Sequence, residues 1–237
     1  MQLKALRKYN LCILVHQISI HTGVAYYLKN ESTSCLSFAT VSNNLDHGAC
    51  AVWAHLQPIL KILLNKTPQI DTIHFVSDGP TSQYRNRSNI YFMITQIETI
   101  FSNIKHLSSN FCESGHGKGP MDGIGGSLER SADAFVAYGN DALSAEDFVE
   151  VFQESKVRVL LIKEEDIQAI KSSLSDQVPG IWHIMKIKQI IYSKELRQKI
   201  FLRNLSCFDS ICSHFPSIKP SFDFNVVPVK PKSCIFF

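Results

Sequence analysis

Carboxylates are missing from the first thirty positions, where Lys4, Arg7, Lys8 and Lys29 stand without an Asp or Glu before Glu31. Over the whole chain neither sign prevails, because 24 basic and 21 acidic residues leave a net charge of +3 across 237 residues. So small an excess does not by itself demand a nucleic acid or an anionic surface as partner. Cysteine is sparse and odd in number, with 7 residues scattered at positions 12, 35, 50, 112, 207, 212 and 234. That pattern excludes a disulfide-stapled scaffold and points to a reducing compartment, nucleus or cytoplasm. No long apolar run is present either: Leu11 to Val15 is interrupted by His16 and Gln17, which is too short for a membrane helix and unlike a signal peptide. Low-complexity tracts and internal repeats are also lacking. What remains is 45% hydrophobic and 19% charged, a composition that buries a core and suits one large domain or a domain with an extension.

The acids are gathered instead between residues 141 and 166, as Asp141, Glu146, Asp147, Glu150, Glu154, Glu164, Glu165 and Asp166. Such a block reads as the solvated face of helices. Upstream, β-branched and aromatic residues from Leu11 to Tyr27 predict one or two strands around a break at Thr22-Gly23, with Cys35 to Val41 as their neighbour. Helical spacing runs from Gly48 to Leu64, with a kink or break expected at Pro58. Ile70 to Val76 reads as a strand, Gln83 to Phe101 as a helix, Ser108 to Cys112 as a strand and Met121 to Tyr138 as a helix. This alternation predicts an α/β sheet with crossover helices. Ser144-Ala145-Glu146-Asp147 resembles a capping box. Val157 to Ile162 is strand-like, Glu164 to Leu174 a short amphipathic helix, and Ile181 to Tyr192 and Ile200 to Cys207 strand-like. Prolines at 216, 220, 228 and 231 predict an extended tail.

Glycine is scarce too, 11 residues in all, yet it crowds into Gly115-His116-Gly117-Lys118-Gly119-Pro120-Met121-Asp122-Gly123-Ile124-Gly125-Gly126. A segment that costly in backbone entropy has backbone work to do. About forty residues earlier, Ser77-Asp78-Gly79-Pro80 closes a strand. In open α/β sheets ligands gather at the carboxyl ends of strands, where both motifs fall. Asp78 is therefore a candidate ligand for a hard divalent cation, Mg2+ or Mn2+, or else simply a turn residue. Asp122 is a candidate second ligand, or a helix N-terminal cap. His116 is a candidate general acid or base, or a loop hydrogen-bonder. Lys118 and neighbouring amides are suited to phosphate oxygens, although no Ser or Thr follows the lysine as a nucleotide-binding P-loop requires. Arg85, Arg87 and Arg130 are candidates for nucleic-acid phosphates, or occupants of solvated helix faces. Asp46-His47 reads as a turn or helix start in preference to a metal pair. Cys207, Cys212 and His214 carry zinc-ligand types at irregular spacing, and the terminal Cys234-Ile235-Phe236-Phe237 formally matches a prenylation box.

The two long motifs, Ser77-Asp78-Gly79-Pro80-Thr81-Ser82-Gln83-Tyr84-Arg85-Asn86 and Gly115 to Gly126, resemble a family of transposon-derived proteins abundant in invertebrate genomes. The resemblance covers about residues 16 to 140 and extends loosely to Ser206-Cys207-Phe208. Such proteins are similar to ribonuclease H-like transposases and integrases. The resemblance implies a mixed sheet flanked by helices and two-metal phosphoryl transfer on DNA, with Asp78 as the middle acid and Asp122 as the last. Two features depart from it. No carboxylate precedes Glu31, so the first acid of the opening strand is missing, and Glu129 stands where a lysine is usual.

The expected organisation is a ribonuclease H-like core over 1–140, incomplete at its N-terminal strand, a small α/β extension over 141–215 and a Pro-containing tail over 216–237. Three functions follow. The first is a catalytically defective transposase-like domain with residual metal and DNA binding. The second is an active nuclease or strand-transferase completed by Glu31, Asp46 or a partner chain. The third is a non-catalytic interaction module whose glycine loop docks a helix against the sheet.

Overall fold

The computed structural model describes residues 2–4, 17–112, 119–140, 144–175, 178, 180–181, 183–194, 199–206 and 234–236. They form a mixed α/β structure in two compact units, neither continuous in sequence. The first gathers residues 1–24, 36–59 and 118–173, the second residues 25–35, 60–117 and 174–237.

In the first unit, β1 (Gln2–Lys4) runs antiparallel to the start of β2 (Gln17–Lys29), with Leu3 opposite Ile18. Strand β3 (Ser32–Ser42) returns beside β2 and pairs in parallel with β6 (Arg158–Leu161), Ala39 opposite Val159 and Val41 opposite Leu161. Ile18, Ile20, Ala39, Val41 and Val159 form an apolar face that packs against Leu128, Phe148 and Phe152. Those residues come from α3 (Pro120–Ala137), α4 (Ala145–Val151) and the turn after it. The expected break at Thr22-Gly23 does not occur, and β2 passes straight through. Gly23 serves close approach instead: a Cβ there would lie 2.3 Å from the Phe38 ring, itself 1% exposed.

Strands β2 and β3 are joined by Asn30 and Glu31, both in the left-handed region at φ 50° and 63°. A two-residue loop of that kind matches the twist of a hairpin. Helix α1 (Ala49–Lys66) follows, and Pro58 lies within it without ending it.

The second unit carries β4 (Thr72–Ser77), α2 (Arg87–Ile100) and β5 (His106–Phe111) as a parallel strand-helix-strand unit, with Ile73 opposite Leu107 and Ser77 opposite Phe111. Strand β7 (Gln189–Ser193) adds antiparallel to β5, and β8 (Lys199–Arg203) antiparallel to β7. The expected strand from Ile181 is shorter, because His183 at φ 53° opens a 3-10 turn over Ile184–Lys186 before β7 begins. On the other edge of β4 lies β9 (Cys234–Phe236), parallel to β4 through Thr72 and His74 and antiparallel to β2 through Tyr26 and Tyr27. Within the segment expected to be an extended tail, residues 234–236 form this strand, and residues 216–233 lie outside the described residues.

One face of this sheet is apolar, with Ile73, Leu107, Ile190 and Leu202 buried. Tyr192 shares that face and donates its hydroxyl to Glu98 Oε1 of α2 at 2.5 Å, which locates α2 above it. The acidic stretch bears out its reading as solvated surface at Glu146, Glu150, Glu154, Glu164, Glu165 and Asp166, all exposed. Helix α5 (Glu164–Ser172) buries only Ile167 and Ile170.

Candidate functional site

Asp78 follows the last residue of β4 and is exposed. The next turn is built by backbone and side chains together. Pro80 O accepts from Tyr84 N at 2.9 Å and from Arg85 N at 3.2 Å. Asn86 donates through Nδ2 to Thr81 O at 2.9 Å and accepts through Oδ1 from Asn89 N at 2.8 Å, capping α2. Asn89 in turn donates to Tyr84 O at 2.9 Å. Much of the Ser-Asp-Gly motif therefore folds the turn, leaving Asp78 displayed at its tip.

Arg85 is 6% exposed, not a solvated cation. Its Nη1 donates to Met185 O at 3.1 Å, and its guanidinium lies 4.9 Å from the centroid of the Phe111 ring. A Cβ on Gly79 would stand 2.6 Å from Arg85 Nε, so glycine is what lets the guanidinium lie against the turn. Cation–π attraction gains strength when such a group is desolvated. Burial, with a contribution from Asp78, raises the Tyr84 hydroxyl's pKa above its ordinary value, so the phenol stays protonated. Arg87 is exposed and donates to Val178 O at 3.1 Å.

Cys112 N donates to Ser77 O at 2.9 Å, so the end of β5 lies beside the end of β4 that leads into the Asp78 turn. His116 and Lys118 lie outside the described residues, as do Cys207, Cys212 and His214. Asp122 opens α3 in the first unit. Its Oδ2 accepts from Gly119 N at 2.8 Å and Pro120 occupies the first turn, an arrangement that satisfies an orphan donor and complements the helix dipole. Arg130, further along α3, is exposed. Asp78 and Asp122 belong to different units.

The acids considered as substitutes for the missing one have local duties. Glu31 forms the hairpin turn, and Asp46 Oδ1 accepts from Gly48 N at 2.7 Å ahead of α1. Among the described residues no three His, Cys, Asp or Glu side chains group as a metal site requires. Nor is any described helix long and apolar enough to cross a membrane.

Sequence reasoning missed a polar row inside the second unit. His74 Nδ1 meets Ser108 Oγ at 2.7 Å, and Asn110 Nδ2 donates to Ser108 Oγ at 2.9 Å and to Phe75 O at 2.9 Å. Gln189 Nε2 donates to Asn110 Oδ1 at 2.8 Å, and Arg203 Nη1 donates to Gln189 Oε1 at 3.3 Å. Ser108, Asn110, Gln189 and Arg203 are all buried. The strand register aligns Asn110, Gln189 and Arg203 across β5, β7 and β8. Polar residues at alternate strand positions mimic a solvent face, which is why the sequence concealed them.

The first unit has a smaller buried group. His55 Nδ1 meets Thr40 Oγ1 at 2.9 Å, Thr40 donates to His21 O at 3.3 Å, and the two imidazoles stand edge to face at 5.8 Å. Since the Thr40 hydroxyl proton goes to His21 O, His55 supplies the proton of the other bond. Burial drives both histidines down, His21 to about 4 and His55 to about 3, with the neighbouring His21 adding to the shift of His55.

No curated protein and no solved structure matches the chain. A family model does match, over residues 14–206, which takes in β2 through β8 and the five α-helices of the described residues, and the chain belongs to that family, described as a domain of unknown function, DUF8701.

Proposed function

We propose that this chain is a transposon-derived, ribonuclease H-like domain that has kept a nucleic-acid-binding surface and lost a complete catalytic centre. The observation that carries the reading is Asp78, exposed at the carboxyl end of β4 on a turn braced by Arg85 and Asn86. Strand order supports it: β4 stands between β5 and β9, and β9 lies against the β2 end of the β2–β3 hairpin. The residues of β9, Cys234-Ile235-Phe236, include no carboxylate.

The described residues do not fit a two-metal centre, because no acidic cluster forms among them and Asp122 is engaged as a cap. Asp78 is the residue that would hold a single Mg2+ or Mn2+ ion at this turn, its carboxylate suiting a hard cation. DNA is the partner that Lys118, Arg87 and Arg130 serve, through its phosphates.

The test is a binding and cleavage comparison on labelled single- and double-stranded DNA, with and without Mg2+ or Mn2+. Affinity is expected to fall linearly with the logarithm of salt concentration, as phosphate contact requires, with no metal-dependent cleavage. An R87A/R130A chain should bind with a shallower salt slope. Salt-independent affinity overturns the DNA reading. Cleavage that needs metal and disappears in D78A overturns the claim of a lost centre, while D122N, which keeps the cap acceptor, separates a ligand role from a structural one.

A further inference from the structure

Strand β8 ends on a cation, Arg203, to which no carboxylate is hydrogen-bonded among the described residues. Arg203 is 7% exposed, and its Nη1 donates to the neutral Gln189 Oε1 at 3.3 Å. A guanidinium carries several further N–H donors in a fixed planar fork. Gln189 cannot turn to offer more, because its amide nitrogen is committed to Asn110 Oδ1 at 2.8 Å. Asn110 is committed in the same sense to Ser108 and to Phe75 O. The donors of the row thus run one way, from Arg203 toward His74, and every acceptor they use is neutral. Burial lowers the Arg203 pKa from its ordinary value.

A buried charge left uncompensated is a strong destabilising element, and a fork-shaped donor set is the geometry that oxyanions match. The location suits an anion as well. Through register, Arg203 aligns with Gln189 and Asn110, and Lys188 joins Arg203 to Phe111 by backbone bonds of 2.8 Å on either side. Arg203 therefore ends β8 at the same end of the sheet as the carboxyl terminus of β5, where ligands of open α/β sheets gather.

We propose that Arg203 is the anchor of an oxyanion site in the second unit, taking a phosphate group, either free or within a phosphodiester. Gln189 and Asn110 orient the guanidinium, and the anion supplies the opposite charge. The site is independent of Asp78 and of any metal, so it stands or falls separately from the function proposed above.

The test is thermal unfolding of the full chain titrated with inorganic phosphate, against sodium chloride at matched ionic strength. Phosphate at a hundredfold excess over its dissociation constant is expected to raise Tm by about 5 °C or more. R203M should abolish that rise and, in phosphate-free buffer, unfold no earlier than the natural chain, since it removes an uncompensated charge. R203K keeps the charge without the fork and should weaken phosphate binding about tenfold; it also serves if the methionine variant does not fold. A short DNA oligonucleotide titrated in place of phosphate separates the two sources: an Arg203-dependent rise with DNA assigns a phosphodiester, and a rise with phosphate alone assigns the free ion. A rise that persists in R203M, an unchanged affinity in R203K, or no rise in the natural chain with either probe overturns the proposal.

Discussion

Gly23 shows how a single position can be misread when only its own chemistry is considered. As a glycine amid β-branched neighbours it suggests a break, yet β2 is continuous and the missing side chain makes room for the Phe38 ring. A Cβ at that position would meet ring atoms at 2.3 to 3.0 Å, and Phe38 is too buried to swing aside. G23A is therefore expected to cost about 1–3 kcal/mol, as overpacking does, measured by urea denaturation. The double variant G23A/F38L should recover part of that loss; a G23A chain as stable as the natural one would remove the packing explanation. Asp122 carries the same lesson in the opposite direction. Its residue type and place before a helix allowed both ligand and cap, and the 2.8 Å bond from Gly119 N shows the cap in use.

At the scale of elements, legibility followed locality. Helix α3 and the Ser144 capping box were readable because their signals lie within one turn: Ser144 Oγ accepts from Asp147 N at 3.1 Å, and Asp147 Oδ2 accepts from Ser144 N at 3.0 Å. The bond from Asn43 Nδ2 to Glu146 Oε2 at 2.7 Å and from Ala145 N to Asn43 Oδ1 at 2.8 Å was not readable, since it joins residues about a hundred positions apart. The same holds for the polar row of the second unit, whose members become partners only through strand register. Buried imidazoles on β2, α1 and β4 give the elements a shared pH response. His21 and His74 are held down to about 4 and His55 to about 3, with burial the largest cause for each. As pH falls below about 6.5 the unfolded chain takes up these protons first, so stability is full above that value and declines toward the folded pKa values. Each histidine is expected to remove about 1.4 kcal/mol per pH unit within that window. Denaturant titrations between pH 7 and 4.5 check this, and H55F should flatten the slope; a chain equally stable across the range would show that these imidazoles do not control it.

The whole molecule is two interleaved units, each assembled from segments distant in sequence. Strand β9 is the extreme case, a three-residue element from the far end of the chain lodged between β2 and β4. Removing residues 234–237 is expected to expose the backbone of Thr72 to His74 and of Tyr26 and Tyr27. Hydrogen exchange should quicken at the amides that bond to β9, while the core of the first unit around Leu128 and Phe148 keeps its protection. Uniform loss of protection would mean that β9 supports both units. The position of β9 also sets a schedule for biosynthesis. The segments of the first unit have all been translated once residue 173 is added, whereas an interior strand of the second, at 234–236, follows it in the chain. Until residues 234–236 have been made, β4 presents an open edge at which the nascent chain is exposed to edge-to-edge association.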